Sequence, residues 1–138
     1  LLYNSLAHRT TWLRSDLKVI GILEQDETEM DKNWNKRYRD NMEKMKSGDI
    51  YEVADVVRNL SFKQKEKGLS TGEKKMLNNA RQILVSELVL AEHATQEEVE
   101  QLVDNKINTS FMMFRADEVT PESVVNKFIP FDGTGTNN

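Results

Sequence analysis

The sequence predicts an all-α fold, a compact helical bundle built round an antiparallel helix hairpin. Apolar residues recur at helical spacing in successive stretches between positions 32 and 105. Two of those stretches are preceded by the Ser/Thr-x-x-Glu pattern of a capping box, at Ser70/Glu73 and Thr95/Glu98. No segment alternates apolar and polar residues with the β-branched content a strand requires, and no internal repeat is present.

The first sixteen residues, Leu1 to Asp16, have no clean period. Leu17, Ile20, Ile22 and Leu23 predict a short helix that runs into an acidic stretch ending at Asp31. The carboxylates there (Glu24, Asp26, Glu27, Glu29 and Asp31, with Asp16 upstream) lack the invariant Gly and the twelfth-position Glu of a calcium loop. A solvated linker is the expectation.

From Lys32 the pattern sharpens. Trp34, Tyr38, Met42 and Met45 share one helical face, and Ser47-Gly48 closes that helix because Gly tolerates the left-handed cap. Asp49 then stands as an N-cap with Glu52 three residues on, followed by a stripe of Ile50, Val53, Ala54, Val57 and Leu60. That helix ends in the basic segment Phe62-Lys-Gln-Lys-Glu-Lys67, where cations suit the negative end of the helix dipole. Gly68 fits the C′ position, and the Gly-Leu-Ser connection is short enough to turn the next helix back as a hairpin partner.

Ser70 and Glu73 open the longest and most apolar helix, with Met76, Leu77, Ala80, Ile83, Leu84, Leu88 and Ala91 on its wide face. Thr95 and Glu98 open another, backed by Val99, Leu102 and Val103. Thr120-Pro121 supplies an N-cap and first-turn pair for a short helix through Phe128, ahead of a tail from Asp132 to Asn138 too polar to pack. The expected organisation is an N-terminal segment and acidic linker over 1–31, a helical domain over 32–106, and a C-terminal extension over 107–138. In the extension, the run Phe111-Met-Met-Phe114 is expected to pack on the bundle or on a second copy of the chain.

Composition narrows the function classes. The chain has 138 residues, enough for one ordinary domain. With no cysteine it has no disulfide, thiolate nucleophile or cysteine-ligated zinc, which fits a cytoplasmic protein. Its longest apolar runs are Ile83–Val85, Leu88–Ala91 and Phe111–Phe114, far short of the roughly 20 residues a membrane helix needs. No basic segment followed by an apolar one opens the chain as a secretory signal would. Without a starting Met, a fragment or a processed product is the expectation.

The formal net charge of −4 conceals a strong asymmetry. Residues 32–81 hold 13 basic and 7 acidic side chains, a net +6, between flanks of −3 and −7. A basic middle between acidic ends points to a polyanionic partner, and equally to a solvated lysine-rich helical surface.

Nothing in the sequence assembles a reaction centre, so no catalytic residue, metal site or cofactor is assigned. His8 and His93 have no partner at metal-ligand spacing, and surface histidine is the reading for both. Gly133-Thr-Gly135 has no strand before it or helix after it, and so is no phosphate loop. What stands out is Lys32-Asn-Trp-Asn-Lys-Arg-Tyr-Arg39, which sets cations beside aromatics at a helix start. Such a cluster suits a polyanion whose bases a flat side chain can touch. Two i,i+4 pairs, Lys36 with Asp40 and Arg39 with Glu43, moderate that reading, and Trp34 shares a register with Tyr38 and Met42 that also fits a core position.

The stretches 33–60, from Asn33-Trp-Asn-Lys-Arg-Tyr-Arg39 to Asn59-Leu60, and 67–88, beginning Lys67-Gly-Leu-Ser-Thr-Gly-Glu-Lys-Lys75, resemble the C-terminal domain of the CarD/CdnL family of bacterial transcription regulators. The resemblance runs from about Leu17 to Glu92. It implies a helical, non-enzymatic module that binds promoter DNA without marked sequence preference. It also implies a tryptophan wedged into the minor groove at the upstream edge of the transcription bubble, which stabilises the open complex. The matching positions are Trp34 for the wedge, with Lys36, Arg37, Arg39, Lys74 and Lys75 for the basic DNA contacts.

In the full-length family a Tudor-like N-terminal domain binds RNA polymerase. Nothing before Leu17 resembles it, and the chain from about Ile107 onward lies outside the family pattern. The competing reading is a helical protein-interaction module that meets an acidic partner or RNA polymerase itself. Self-association through the C-terminal extension is a further expectation, and no membrane contact is expected.

Overall fold

Five helices, with no strand among the described residues, make up the computed structural model, which describes residues 13–116. They are α1 (Arg14–Leu23), α2 (Trp34–Lys46), α3 (Ile50–Glu66), α4 (Thr71–Glu92) and α5 (Gln96–Phe114). The fold is an all-α compact bundle, as the periodicity predicts. The helix expected after Thr120-Pro121, the terminal tail, Gly133-Thr-Gly135 and His8 lie outside the described residues.

Local chemistry sets the helix boundaries where the sequence places them. Asn33 caps α2 by accepting from the Lys36 backbone N–H, and Asp49 caps α3 through Tyr51 N–H. Both capping boxes close in both directions, Ser70 with Glu73 on α4 and Thr95 with Glu98 on α5. Asp49 acts as a single cap, because its side chain accepts from Tyr51 rather than from the residue carrying Glu52. Gly48 and Gly68 take positive φ angles of 77° and 82° at the two turns, a region glycine enters without Cβ strain. His93, exposed at the end of α4, adopts the same left-handed conformation.

α3 is the central element and packs against each of the other four helices. Val53, Ala54, Val56, Val57, Leu60 and Phe62 are buried along it. They meet Val19 and Leu23 of α1, Leu77, Leu84 and Leu88 of α4, and Val99, Val103 and Phe111 of α5 in one core. Phe62 and Phe111 pack edge to face with centroids 5.2 Å apart, a favoured geometry because the positive ring edge meets the negative face.

The core extends on both sides of the 32–106 stretch, since α1 and the second half of α5 both contribute buried residues. Of the run Phe111-Met-Met-Phe114, Phe111 packs on the bundle, while Met112, Met113 and Phe114 are exposed.

Three details differ from the sequence expectation. Leu17 and Ile83 are exposed, at 54% and 44%, although the apolar pattern predicts both to face the core. A wide amphipathic face has ambiguous edges, and packing leaves these two in solvent while Val19 turns inward. The acidic stretch after α1 is also not a free solvated linker. Thr28 donates its backbone N–H to Asn59 Oδ1 at 3.0 Å, and Asn59 Nδ2 returns a bond to Thr28 Oγ1 at 2.8 Å. Arg115 gathers Asp26, Glu27 and Glu66, and Lys106 reaches Glu24 at 3.1 Å. The carboxylates thus tie the connection down onto α3 and α5.

Arg58 completes this floor. It is fully buried and donates to the Ile22 carbonyl at 2.9 Å, to Asn59 Oδ1 and to Asp55. A buried guanidinium is tolerable only when its donors are used in this way.

Candidate nucleic-acid interface

Trp34 opens α2 at its first helical position and is 42% exposed. It is a surface residue with three fixed contacts. Its ring stacks on Tyr38, one turn along, with centroids 5.0 Å apart and planes 20° from parallel. Its indole Nε1–H donates to Ser70 Oγ at 2.9 Å. Its six-membered ring edge and the Tyr38 ring lie over Gly72, close enough that a Cβ built there would sit 3.5 Å from Trp34 and 3.4 Å from Tyr38. The start of α2 is therefore bound to the start of α4.

That junction gathers part of the candidate cluster. Lys74 and Lys75 follow Ser70 and Gly72 within the first two turns of α4, the helix end that Trp34 rests against. Lys75 is exposed and Lys74 half-buried, and neither is in an ion pair among the described residues. Lys36 and Arg39 stand elsewhere. At about 100° per residue they are rotated roughly 200° and 140° from Trp34 around α2.

Lys36 is engaged with Asp40 at 3.0 Å and Asp31 at 3.8 Å. The hydrogen bond to Asp40, then the Asp40 charge, hold the Lys36 ammonium above its ordinary pKa. Arg39 is exposed and does not form the expected pair with Glu43.

Arg37 departs from the sequence expectation most clearly. It is 8% exposed, and its guanidinium grips Glu73 on α4, Nε to Oε2 at 2.8 Å and Nη2 to Oε1 at 3.4 Å. Nη1 donates to the carbonyls of Asp31 and Lys32. With its donors committed inward, Arg37 has no free fork to offer a phosphate. It braces the helix that carries Trp34.

Glu73 is the hub of this brace. Burial by itself would raise its carboxyl pKa. The Arg37 hydrogen bond, the charges of Lys63 and Arg37, and the Ser70 hydroxyl outweigh burial and hold it below the ordinary value. Ser70 and Glu73 are legible as a capping box, but their second role, joining α4 to Arg37 and to the indole, has no local sequence signal.

The opposite flank of α2 has the opposite character. An open cavity of about 490 Å³ lies there, and its lining includes Glu29, Asp31, Asp40, Glu43 and Glu52 against Arg37 and Lys44. Such a surface repels phosphate, and Lys36 stands on its rim through Asp40. No group of three or more potential metal ligands exists among the described residues. No helix of the described residues is long and apolar enough to cross a membrane.

The family model described as "CarD, C-terminal domain" matches residues 18–104, which takes in most of α1 and runs into α5. The chain belongs to the CarD C-terminal domain family. It is also similar to YdeB of Bacillus subtilis (strain 168), named as a candidate transcription factor. The two are 40% identical over 81 residues, covering 59% of this chain and 53% of the relative. The chain thus spans about half the length of that relative. The CarD match covers both Trp34 and the Ser70–Gly72 segment against which it rests.

Proposed function

We propose that the chain is the DNA-binding module of a CarD-like transcription regulator, which grips DNA without sequence preference and stabilises open promoter complexes. Trp34 is the minor-groove wedge, and Lys74 and Lys75 contact the flanking phosphates. Arg39 extends the phosphate contacts along α2, and Lys36 contributes less because Asp40 and Asp31 compete for it. Arg37 acts from behind, as a brace.

The observation that carries this reading is a large aromatic left 42% exposed yet fixed by stacking and a hydrogen bond. Lys74 and Lys75, in the first two turns of the helix whose N-cap accepts its indole N–H, are without ion-pair partners among the described residues. A rigid apolar plate with such positive charge on the helix it rests against suits an unstacked base step flanked by phosphates. RNA polymerase and promoter DNA are the partners this reading implies for the full-length protein, in a bacterial cytoplasm, and the YdeB name agrees with such a role.

Fluorescence anisotropy on fully paired and forked duplexes at two salt concentrations tests it. Binding should be tighter to the forked DNA and fall steeply with salt, as counterion release requires. Salt-independent binding, or no preference for the fork, would reject the wedge.

A further inference from the structure

The Trp34 side chain is held at its polar edge by the capping hydroxyl of another helix. Ser70 Oγ accepts from the indole Nε1–H at 2.9 Å and from the Glu73 backbone N–H at 3.3 Å, and donates to Glu73 Oε1 at 3.1 Å. A serine hydroxyl has one donor and two acceptor sites, and all three are used here. Its rotor is therefore set by the buried Glu73 carboxylate, which is in turn held by Arg37 and Lys63. Orientation passes in an unbroken line from a buried ion pair to an exposed ring.

Neither of the other two contacts fixes the ring in this way. A stack on Tyr38 allows the indole to slide and rotate in its plane, and the edge contact at Gly72 only limits how close it comes. The hydrogen bond at Nε1 is directional and removes that freedom.

We infer that Ser70 is a positioning residue, which locks Trp34 in a single pose with its open surface turned to the partner before any partner arrives. This rests on the reading of Trp34 as a wedge. A preset ring has less side-chain freedom to lose on binding, so the lock contributes affinity without touching the ligand. The effect should be confined to DNA that offers an unstacked step, because only that DNA engages the indole.

The test uses Ser70→Gly and Ser70→Thr in the full chain. Glycine is a serviceable N-cap, costing a helix only a few tenths of a kcal/mol relative to serine, so Ser70→Gly removes the hydroxyl while leaving α4 capped. Threonine restores it. Exchange of the Trp34 indole N–H with solvent, followed by NMR, reads the lock directly. The Trp34 signal is identified as the indole resonance that disappears in Trp34→Phe.

A hydrogen bond of ordinary net strength implies roughly twofold to tenfold faster indole exchange in Ser70→Gly. A similar loss in the preference for forked over paired DNA is expected, with paired-duplex affinity unchanged and both effects reversed in Ser70→Thr. Unchanged fork preference in Ser70→Gly, while Trp34→Ala loses it, would overturn the positioning role and leave the wedge standing. Raised fork preference would also overturn it, since the bond would then be restraining the ring. If Trp34→Ala itself keeps full fork preference, the wedge falls and the role of Ser70 with it.

Discussion

Arg37 and Glu73, 36 positions apart in sequence, meet in a buried two-point ion pair with Nε–Oε2 at 2.8 Å and Nη2–Oε1 at 3.4 Å. The pair fastens α2 to α4 directly beneath the junction of Trp34 and Ser70. It also separates two roles that the basic cluster leaves entangled, since nearby cations of the same type are assigned to bracing at Arg37 and to the surface at Arg39.

Arg37→Ala should therefore behave as a stability mutant. Removing one partner leaves the Glu73 carboxylate buried with only Lys63 and Ser70 to offset it. Breaking a buried pair from one side costs about 3–5 kcal/mol. Urea denaturation should show that loss, and any fall in DNA affinity should track the folded fraction. A variant that melts like wild type but fails to bind DNA would return Arg37 to the phosphate-contact set.

The surface cations make the contrasting case. Reversing Arg39, Lys74 and Lys75 together to Glu should leave the melting temperature nearly unchanged, because none of the three is in an ion pair among the described residues. Affinity should fall alike for all sequences, and the log–log salt slope should flatten by about 0.9 for each phosphate the variant no longer neutralises. Lys36→Glu alone should have a smaller effect. An unchanged slope in the triple variant would place the polyanion elsewhere.

What the sequence made legible divides by range. The caps at Asp49, Ser70 and Thr95, and the turns at Gly48 and Gly68, are satisfied within a few residues and can be read from spacing, while the Asn33 cap of α2 emerges only from the structure. The Arg37–Glu73 pair and the anchoring of the acidic stretch by Asn59 and Arg115 connect distant positions, so no local pattern announces them. Tyr38 shows the same limit. Its register with Trp34 is correct and the two rings do stack, yet periodicity cannot say whether the stack faces core or solvent. Trp34 stands out by resemblance, and its contacts with Ser70 and Gly72 follow from the fold alone.

A pH dependence follows from the other end of α4. Asp16 on α1 and Glu92 on α4 are each 3% exposed and face one another. Glu87 adds a third carboxylate nearby, and Asp16 Oδ2 is without a hydrogen-bond partner. Burial first, then the hydrogen bond and charge of Glu92, push the Asp16 carboxyl from 3.8 up to about 7. Between those values the folded state holds a proton that the unfolded chain has released, so raising pH through this window destabilises the fold. The slope from one such group is at most about 1.4 kcal/mol per pH unit. Denaturation at pH 5 to 8 should show it. Asp16→Asn, which keeps the shape without the charge, should flatten it and be the more stable protein at pH 8. Parallel pH profiles for the two proteins would contradict this.

Trp34 carries the sharpest test, because a core tryptophan and a presented one respond oppositely to truncation. Trp34→Ala removes a half-exposed ring, one stack on Tyr38 and one hydrogen bond to Ser70. The stack is worth about 0.5–1.5 kcal/mol and the bond a similar amount. A stability loss of about 1–3 kcal/mol is therefore expected, against the roughly 3–5 kcal/mol of a buried Trp. Ser70 keeps its bonds to Glu73, so α4 stays capped and the Arg37 brace stays in place. On DNA the variant should bind paired duplex nearly as wild type does, while its advantage on forked duplex disappears. Trp34→Phe should fall between, keeping the stack and losing the bond. If Trp34→Ala instead unfolds far below wild type and the residual folded protein still prefers the fork, Trp34 belongs to the scaffold and the wedge must be sought elsewhere.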